Sequence, residues 1–124
     1  RGAFEEASFT KVTIGENVII GPYTSIGDNC VIKSGAKIFS SSIYSGVVIG
    51  KETTVSGSIL DINTTIGDDC SIEHNTVIGP RCVLRSGITI HSGVRIWPDV
   101  IVEEDAVVKE NILNDRYDTK ADGS

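Results

Sequence analysis

The chain has 124 residues, 40% of them hydrophobic, with 13 glycines and three prolines, a composition that fits one domain with an ordered globular or repeat fold. A formal charge of -6 argues against nucleic acid or anionic membrane as partner, since both are bound by clustered Lys and Arg that release counterions. No apolar run approaches membrane-spanning length, nothing from Arg1 onward resembles a signal peptide, and three cysteines, an odd number, fit a reduced, cytoplasmic setting. The chain contains no Met and starts at Arg1, so it is expected to be a piece of something longer.

In chain order, Phe4 and Phe9 come first, at five-residue steps before Ile14, and predict an irregular first coil over residues 1–13 that caps an otherwise open end. From Ile14, aliphatic residues recur at Ile20, Ile26, Ile32 and Ile38, then at Ile43, Ile49 and Val55. They continue at Leu60, Ile66, Ile72, Ile78, Leu84, Ile90, Ile96, Val102, Val108 and Leu113. The step is six residues almost throughout, and a fixed internal period marks a solenoid. Six is a multiple of two and not of 3.6, so each unit is a short strand. Two residues before each aliphatic lies a mostly small residue, among them Val12, Val18, Thr24, Cys30, Ala36, Val47, Thr53, Thr64, Cys70, Thr76 and Cys82. With a period of two, both positions face inward. Turn chemistry such as Ile-Gly-Glu, Ile-Gly-Pro and Trp-Pro follows, making each hexapeptide a strand and a corner.

The step shortens to five at Ile38 to Ile43, Val55 to Leu60 and Val108 to Leu113. Counted in threes, all three shortenings fall on the corner between the second and third walls. Three walls per coil therefore predict a triangular prism of stacked parallel strands, about six coils and roughly 29 Å tall. The β-helix, its irregular first coil included, is expected over residues 1–113 and a polar, aperiodic tail over 114–124.

The stretch from Thr65 to Gly87 holds Cys70, His74 and Cys82, which could be taken for a metal site. The period assigns them otherwise. Cys30, Cys70 and Cys82 occupy the small inward position and read as core spacers, because a buried Cys behaves as a small hydrophobe. Cys30 and Cys82 share a wall but lie three coils apart, about 14 Å, and Cys70 is on another wall, so no disulfide is expected. His74 faces outward on a corner and cannot join the thiols around zinc; no metal site is predicted. Asn63-Thr64-Thr65 matches a glycosylation sequon, which has no use without export.

On the corner after the second wall, Glu73, His91 and Lys109 take equivalent places in successive coils, with His74, Ser92 and Glu110 beside them. At about 5 Å between coils, Glu73 could orient His91 or raise its pKa. A histidine paired with a carboxylate is what deprotonation of an amine or hydroxyl acceptor requires. His91, Glu73 and His74 are thus the candidate catalytic residues, set against a plain reading of the same corner as a solvated polar edge. The outward positions on the first wall, Thr13, Val31, Val48, Thr65, Val83 and Ile101, carry no charge. They predict a continuous apolar, β-branched stripe and hence a contact surface, with Val31, Val48, Val83 and Ile101 as interface residues. Trp97 sits on a corner, packed over its neighbours or available for docking.

The hexapeptide pattern resembles the left-handed parallel β-helix, an exception to the right-handed crossover rule, and the handedness is taken from that resemblance. Residues from about Thr10 to Asn114 are similar to the C-terminal β-helix domain of sugar-1-phosphate nucleotidylyltransferases, particularly mannose-1-phosphate guanylyltransferase-like proteins. The resemblance rests on "VTIGENVIIGPYTSIGDNCVI", the shortened steps "SSIYSGVVIG" and "SGSILDINTTIG", and the closing "GVRIWPDVIVEEDAVV". It implies a parent enzyme that joins a nucleoside triphosphate to a sugar 1-phosphate and releases pyrophosphate, with Mg²⁺ in an N-terminal α/β domain. The phosphate loop of that domain is not in this chain, so the implied role here is non-catalytic assembly or regulation, with no cofactor of its own. The implied partners are a second copy of the chain, the N-terminal nucleotidyltransferase domain, or both. The alternative is an acetyl-CoA-dependent hexapeptide acyltransferase acting on an amino sugar or sugar phosphate. Such enzymes usually carry their histidine on or beside a loop leaving the coil, and no step here exceeds six residues. The γ-type carbonic anhydrases share the repeat but need three histidines, and this chain has 2.

Overall fold

The computed structural model describes residues 11–113 and the short strand Asp118–Thr119. Its elements are strands of two or three residues separated by corners. The first coil holds β1 (Thr13–Ile14), β2 (Ile19–Ile20) and β3 (Ser25–Ile26), and the second β4 (Val31–Ile32), β5 (Lys37–Phe39) and β6 (Ser42–Ile43). The third has β7 (Val48–Ile49), β8 (Thr54–Ser56) and β9 (Ile59–Leu60), and the fourth β10 (Thr65–Ile66), β11 (Ser71–Ile72) and β12 (Val77–Ile78). The fifth has β13 (Val83–Leu84), β14 (Thr89–Ile90) and β15 (Arg95–Ile96). Then come β16 (Ile101–Val102), β17 (Val107–Val108) and β18 (Asp118–Thr119).

Every pairing is parallel and, apart from β16 with β18, joins a strand to the one three places on, giving three sheets. Wall 1 is β1-β4-β7-β10-β13-β16-β18, wall 2 is β2-β5-β8-β11-β14-β17, and wall 3 is β3-β6-β9-β12-β15. The register places each inward aliphatic over the next, as in Ile32 on Ile49 and Ile72 on Ile90. This is the all-β, three-walled parallel solenoid expected of the six-residue period, and it fits the left-handed β-helix. No described helix is long and apolar enough to cross a membrane.

The inward aliphatics from Ile32 to Val108 form one sealed core. The correction comes at the end. Leu113, expected as the last inward residue, is 57% exposed, and Ile112 is buried in its place at 3%. Ile112 bridges Ile96 and donates its N–H to the Arg95 carbonyl at 2.9 Å. The last step is therefore four residues, from Val108 to Ile112, and the sixth coil keeps only this bridge on its third wall. Five coils are complete. Within the polar tail, the backbone of Asp118–Thr119 extends wall 1 beside β16, since ladder pairing needs no apolar inward set. The capping role expected of Phe4 and Phe9 lies outside the described residues.

The corners share one device. At all but the last described corner, a residue enters the left-handed region, for example Asn17, Asn29, Asn63, Asp69 and Asn75 with φ near 60°. From the second coil on, its N–H points along the prism axis to a corner carbonyl one coil earlier: Asn63 to Ser45, Asp69 to Lys51, and Asn75 to Gly57, at 2.8 to 2.9 Å. The glycine directly after many inward aliphatics has a different cause. A Cβ at Gly67 would stand 2.7 Å from the Arg85 carbonyl carbon, so coil stacking, not backbone sign, demands glycine there.

The corrected register predicts that Ile112→Ala costs about 2 to 5 kcal/mol, as deletion of a buried aliphatic does. Leu113→Ala should stay within about 0.5 kcal/mol. Urea unfolding of the two variants distinguishes them.

Candidate functional site

The strand register sets the corner between walls 2 and 3. With Ile72 paired to Ile90 and Ile90 to Val108, the next residues, Glu73, His91 and Lys109, stack in one column. Glu73 and His91 are half-buried, whereas His74, Ser92 and Lys109 are exposed. The Glu73 carboxylate goes to the backbone, its Oε1 accepting the Ser92 N–H at 3.2 Å. Among the described residues, neither imidazole has a side-chain hydrogen-bond partner; the His91 carbonyl accepts from the Thr76 hydroxyl at 3.3 Å. His74 leans toward Gly57, where an added Cβ would meet its Cδ2 at 2.9 Å. The column places two imidazoles and a carboxylate on one open edge.

On wall 1 the outward residues Thr13, Val31, Val48, Thr65, Val83 and Ile101 are in direct register through successive strands. Val31, Val48 and Val83 are half-buried by their neighbours, and Ile101 is 41% exposed. Around the corner between walls 3 and 1 stand Tyr44, Ile62 and Trp97, all exposed, Trp97 at 52%. Trp97 is held by its backbone, donating its N–H to the Ile112 carbonyl at 2.7 Å. Ion pairs run up the prism as well: Arg81 Nε meets Asp99 at 2.7 Å and Arg85 Nε meets Glu103 at 3.3 Å. The hydrogen-bonded Arg81 guanidinium holds the Asp99 carboxyl below the usual carboxylate range.

The three thiols are free and buried, on the small inward position. They are more than spacers. Cys30 Sγ donates to the Tyr44 carbonyl at 3.0 Å, Cys70 to Arg85 at 3.1 Å, and Cys82 to Trp97 at 3.1 Å. Each target is a corner carbonyl in the next coil. Thr53 and Thr64 use the same geometry, donating to Gly67 and Gly79 at 2.7 Å while accepting the N–H of Cys70 and Cys82 at 3.1 Å. Ser58 does likewise toward Glu73 and Thr76. The recurrence of Cys, Thr and Ser was visible in the sequence, but a six-residue period shows only that they are small. Their shared property is an O–H or S–H aimed at a corner. Burial pushes all three thiols up from their ordinary value of 9.0. Among the described residues, no group of three or more His, Cys, Asp or Glu could hold a metal ion.

The three parallel walls and their corner array define a hexapeptide-type parallel β-helix. Residues 8–113 match the family described as the GMPPB C-terminal domain, and the chain belongs to that family. It is 34% identical over 82 residues to mannose-1-phosphate guanylyltransferase 1 of Arabidopsis thaliana, covering 66% of this chain and 23% of that protein. It is 33% identical over 86 residues to an acyl-[acyl-carrier-protein]–UDP-N-acetylglucosamine O-acyltransferase of Bartonella quintana, covering 64% of this chain and 30% of that one. Among solved structures, the acetyltransferase domain of PglB from Neisseria gonorrhoeae superposes with a TM-score of 0.83 at 23% identity, covering 93% of this chain and 59% of that one. PerB from Caulobacter crescentus, solved with CoA and GDP-perosamine, gives 0.83 at 22%, covering 92% and 56%. At these identities the structures share the fold. The chain spans about a quarter of the length of the curated guanylyltransferases that it matches.

Two outcomes follow for the thiols. Cys82→Ala leaves the Trp97 carbonyl without its donor and should cost about 1 to 3 kcal/mol, whereas Cys82→Ser, which keeps a donor, should recover part of that loss. The raised thiol pKa values also carry a sign. An unfolded thiol ionises near 9.0 while the buried one stays neutral, so this stability is complete below that pH and is lost as pH climbs through the folded values. Thermal melts should therefore drop above pH 9, and a thiol reagent should label the native chain only as fast as it opens.

Proposed function

We propose that this chain is the assembly and regulatory β-helix domain of a sugar-1-phosphate nucleotidylyltransferase. In this reading a separate catalytic domain joins a nucleoside triphosphate to a sugar 1-phosphate, releases pyrophosphate and holds Mg²⁺; the chain's own described carboxylates form no cluster suited to that ion. The observation that carries the reading is family membership across residues 8–113. The corner geometry supports it: Glu73 is engaged by the Ser92 N–H, and the imidazoles stand on tight turns at an open edge with no covering segment among the described residues. The wall 1 column supports an assembly role, because Val31, Val48, Val83 and Ile101 form a neutral, ordered face that packs against a second copy or the catalytic domain. A cytoplasmic location belongs to the same reading. The second reading, an acetyl-CoA-dependent acyltransferase with His91 as base, is favoured by the similarity to named acyltransferases.

Sedimentation tests the assembly role. The Val48→Lys, Val83→Lys double substitution should reduce the mass of the wild-type assembly; an unchanged oligomer removes wall 1 as the self-contact, and a monomeric wild type leaves only docking to the catalytic domain. Thiol release from acetyl-CoA with amino-sugar phosphates tests the chemistry. No turnover is expected, and turnover that disappears in His91→Ala would replace the first reading with the second.

A further inference from the structure

Wall 3 carries a recess that neither reading uses. It arises where the corner between walls 2 and 3 changes length. In the third coil, Val55 to Leu60 spans five residues, and in the fourth, Ile72 to Ile78 spans six, so His74 and Asn75 overhang Gly57. Gly57 has φ +51° and no side chain to fill the step. The resulting space, about 270 Å³, is lined by Gly57, Ile59, Asn75, Thr76, Val77 and Arg95.

Its groups divide sharply. Ile59, Val77 and Arg95 form one outward column in strand register, an apolar floor ending in a cation. The described ion pairs use Arg81 and Arg85; among the described residues, no carboxylate is within ion-pair distance of Arg95. The recess has already spent its other donors. The Asn75 N–H goes to the Gly57 carbonyl at 2.8 Å, the Thr76 N–H to Ser58 Oγ at 3.2 Å, and the Thr76 hydroxyl to the His91 carbonyl. What remains is the guanidinium, the Asn75 amide and the neighbouring His74 ring over aliphatic carbon. A guanidinium with no carboxylate partner among the described residues, on a chain of net charge -6, favours an anion, and its planar fork suits phosphate. The volume falls just below the roughly 300 to 1,000 Å³ of drug-sized ligand sites. It suits one small ring with its phosphate and not a whole nucleotide.

We propose that this recess binds a monophosphorylated sugar, with the phosphate on Arg95, ring hydroxyls at Asn75 and His74, and the carbon face of the ring on Ile59 and Val77. The site does not depend on the wall 1 contact, and its test reads binding alone. Titration calorimetry of the full chain with glucose 1-phosphate and mannose 1-phosphate should give saturable binding, with little or none for unphosphorylated mannose. Arg95→Gln should weaken it by about tenfold or more, Asn75→Ala by less, and Arg85→Gln, away from the recess, should leave it unchanged. Circular dichroism confirms that each variant is folded. Absence of binding at millimolar sugar phosphate, or equal binding by Arg95→Gln, overturns the proposal. So does inorganic phosphate binding as tightly as the sugar phosphates, which would leave a bare anion contact only.

Discussion

Everything else in this prism depends on turning the chain by a third of a circle every six residues while keeping the coils in contact. Left-handed backbone does this at all but the last described corner. For a non-glycine residue that conformation costs roughly 1 to 2 kcal/mol, yet it recurs at Asn17, Asn29, Glu52, Asn63, Asp69, Asn75, Arg81, Asp99 and Asp105. From the second coil on, the turn aims the N–H of the left-handed residue along the axis at the preceding coil, so each of these strained corners is bonded to the corner before it. Asn and Asp predominate because their short polar side chains tolerate the conformation best. Where a side chain of another kind occupies the position, as at Glu52 and Arg81, the same ladder holds it.

The corner carbonyls facing the interior set the second requirement. A buried carbonyl without a donor is expensive, and a core of pure aliphatics could not supply one. Cys30, Thr53, Ser58, Thr64, Cys70, Thr76 and Cys82 supply it from the inward face, each reaching a carbonyl of the next coil. No buried side-chain nitrogen or oxygen among the described residues is left without a partner. The small inward position is therefore chosen for chemistry as well as for volume.

How much of this the sequence disclosed can be traced residue by residue. The period, the three walls and the strand register were legible because Ile, Val and Leu recur with little noise, and a period of two fixes which side chains share a face. The column Glu73, His91, Lys109 and the stripe Val31, Val48, Val83 followed from the same counting. Counting failed at the last corner, where Ile112 and Leu113 are both aliphatic and only the hydrogen bond to Arg95 decides between them. It also missed causes. Gly67 looked like a turn former and is a stacking contact, and Cys70 looked like a spacer and is a donor. The course of the Glu73 carboxylate and the recess beneath Asn75 depend on rotamers and on corner height in neighbouring coils, which a one-dimensional pattern does not encode.

The burial of the inward isoleucines is graded along the axis. Ile14 is 51% exposed and Ile20 39%, Ile26 is partly covered, and from Ile32 onward the column is sealed at 1% or less through Ile38. Each coil of a solenoid is stabilised only by its neighbours, so such a gradient is also a gradient in local free energy. The first coil opens at low cost, while the coils around Val55 and Ile72, flanked on both sides, open only when the whole stack does. Amide hydrogens of chemically similar isoleucines should thus exchange with solvent at rates differing by orders of magnitude, ordered by height in the prism and not by residue type. Among the described residues the column therefore has a direction of unzipping, set by the exposure of Ile14 and Ile20.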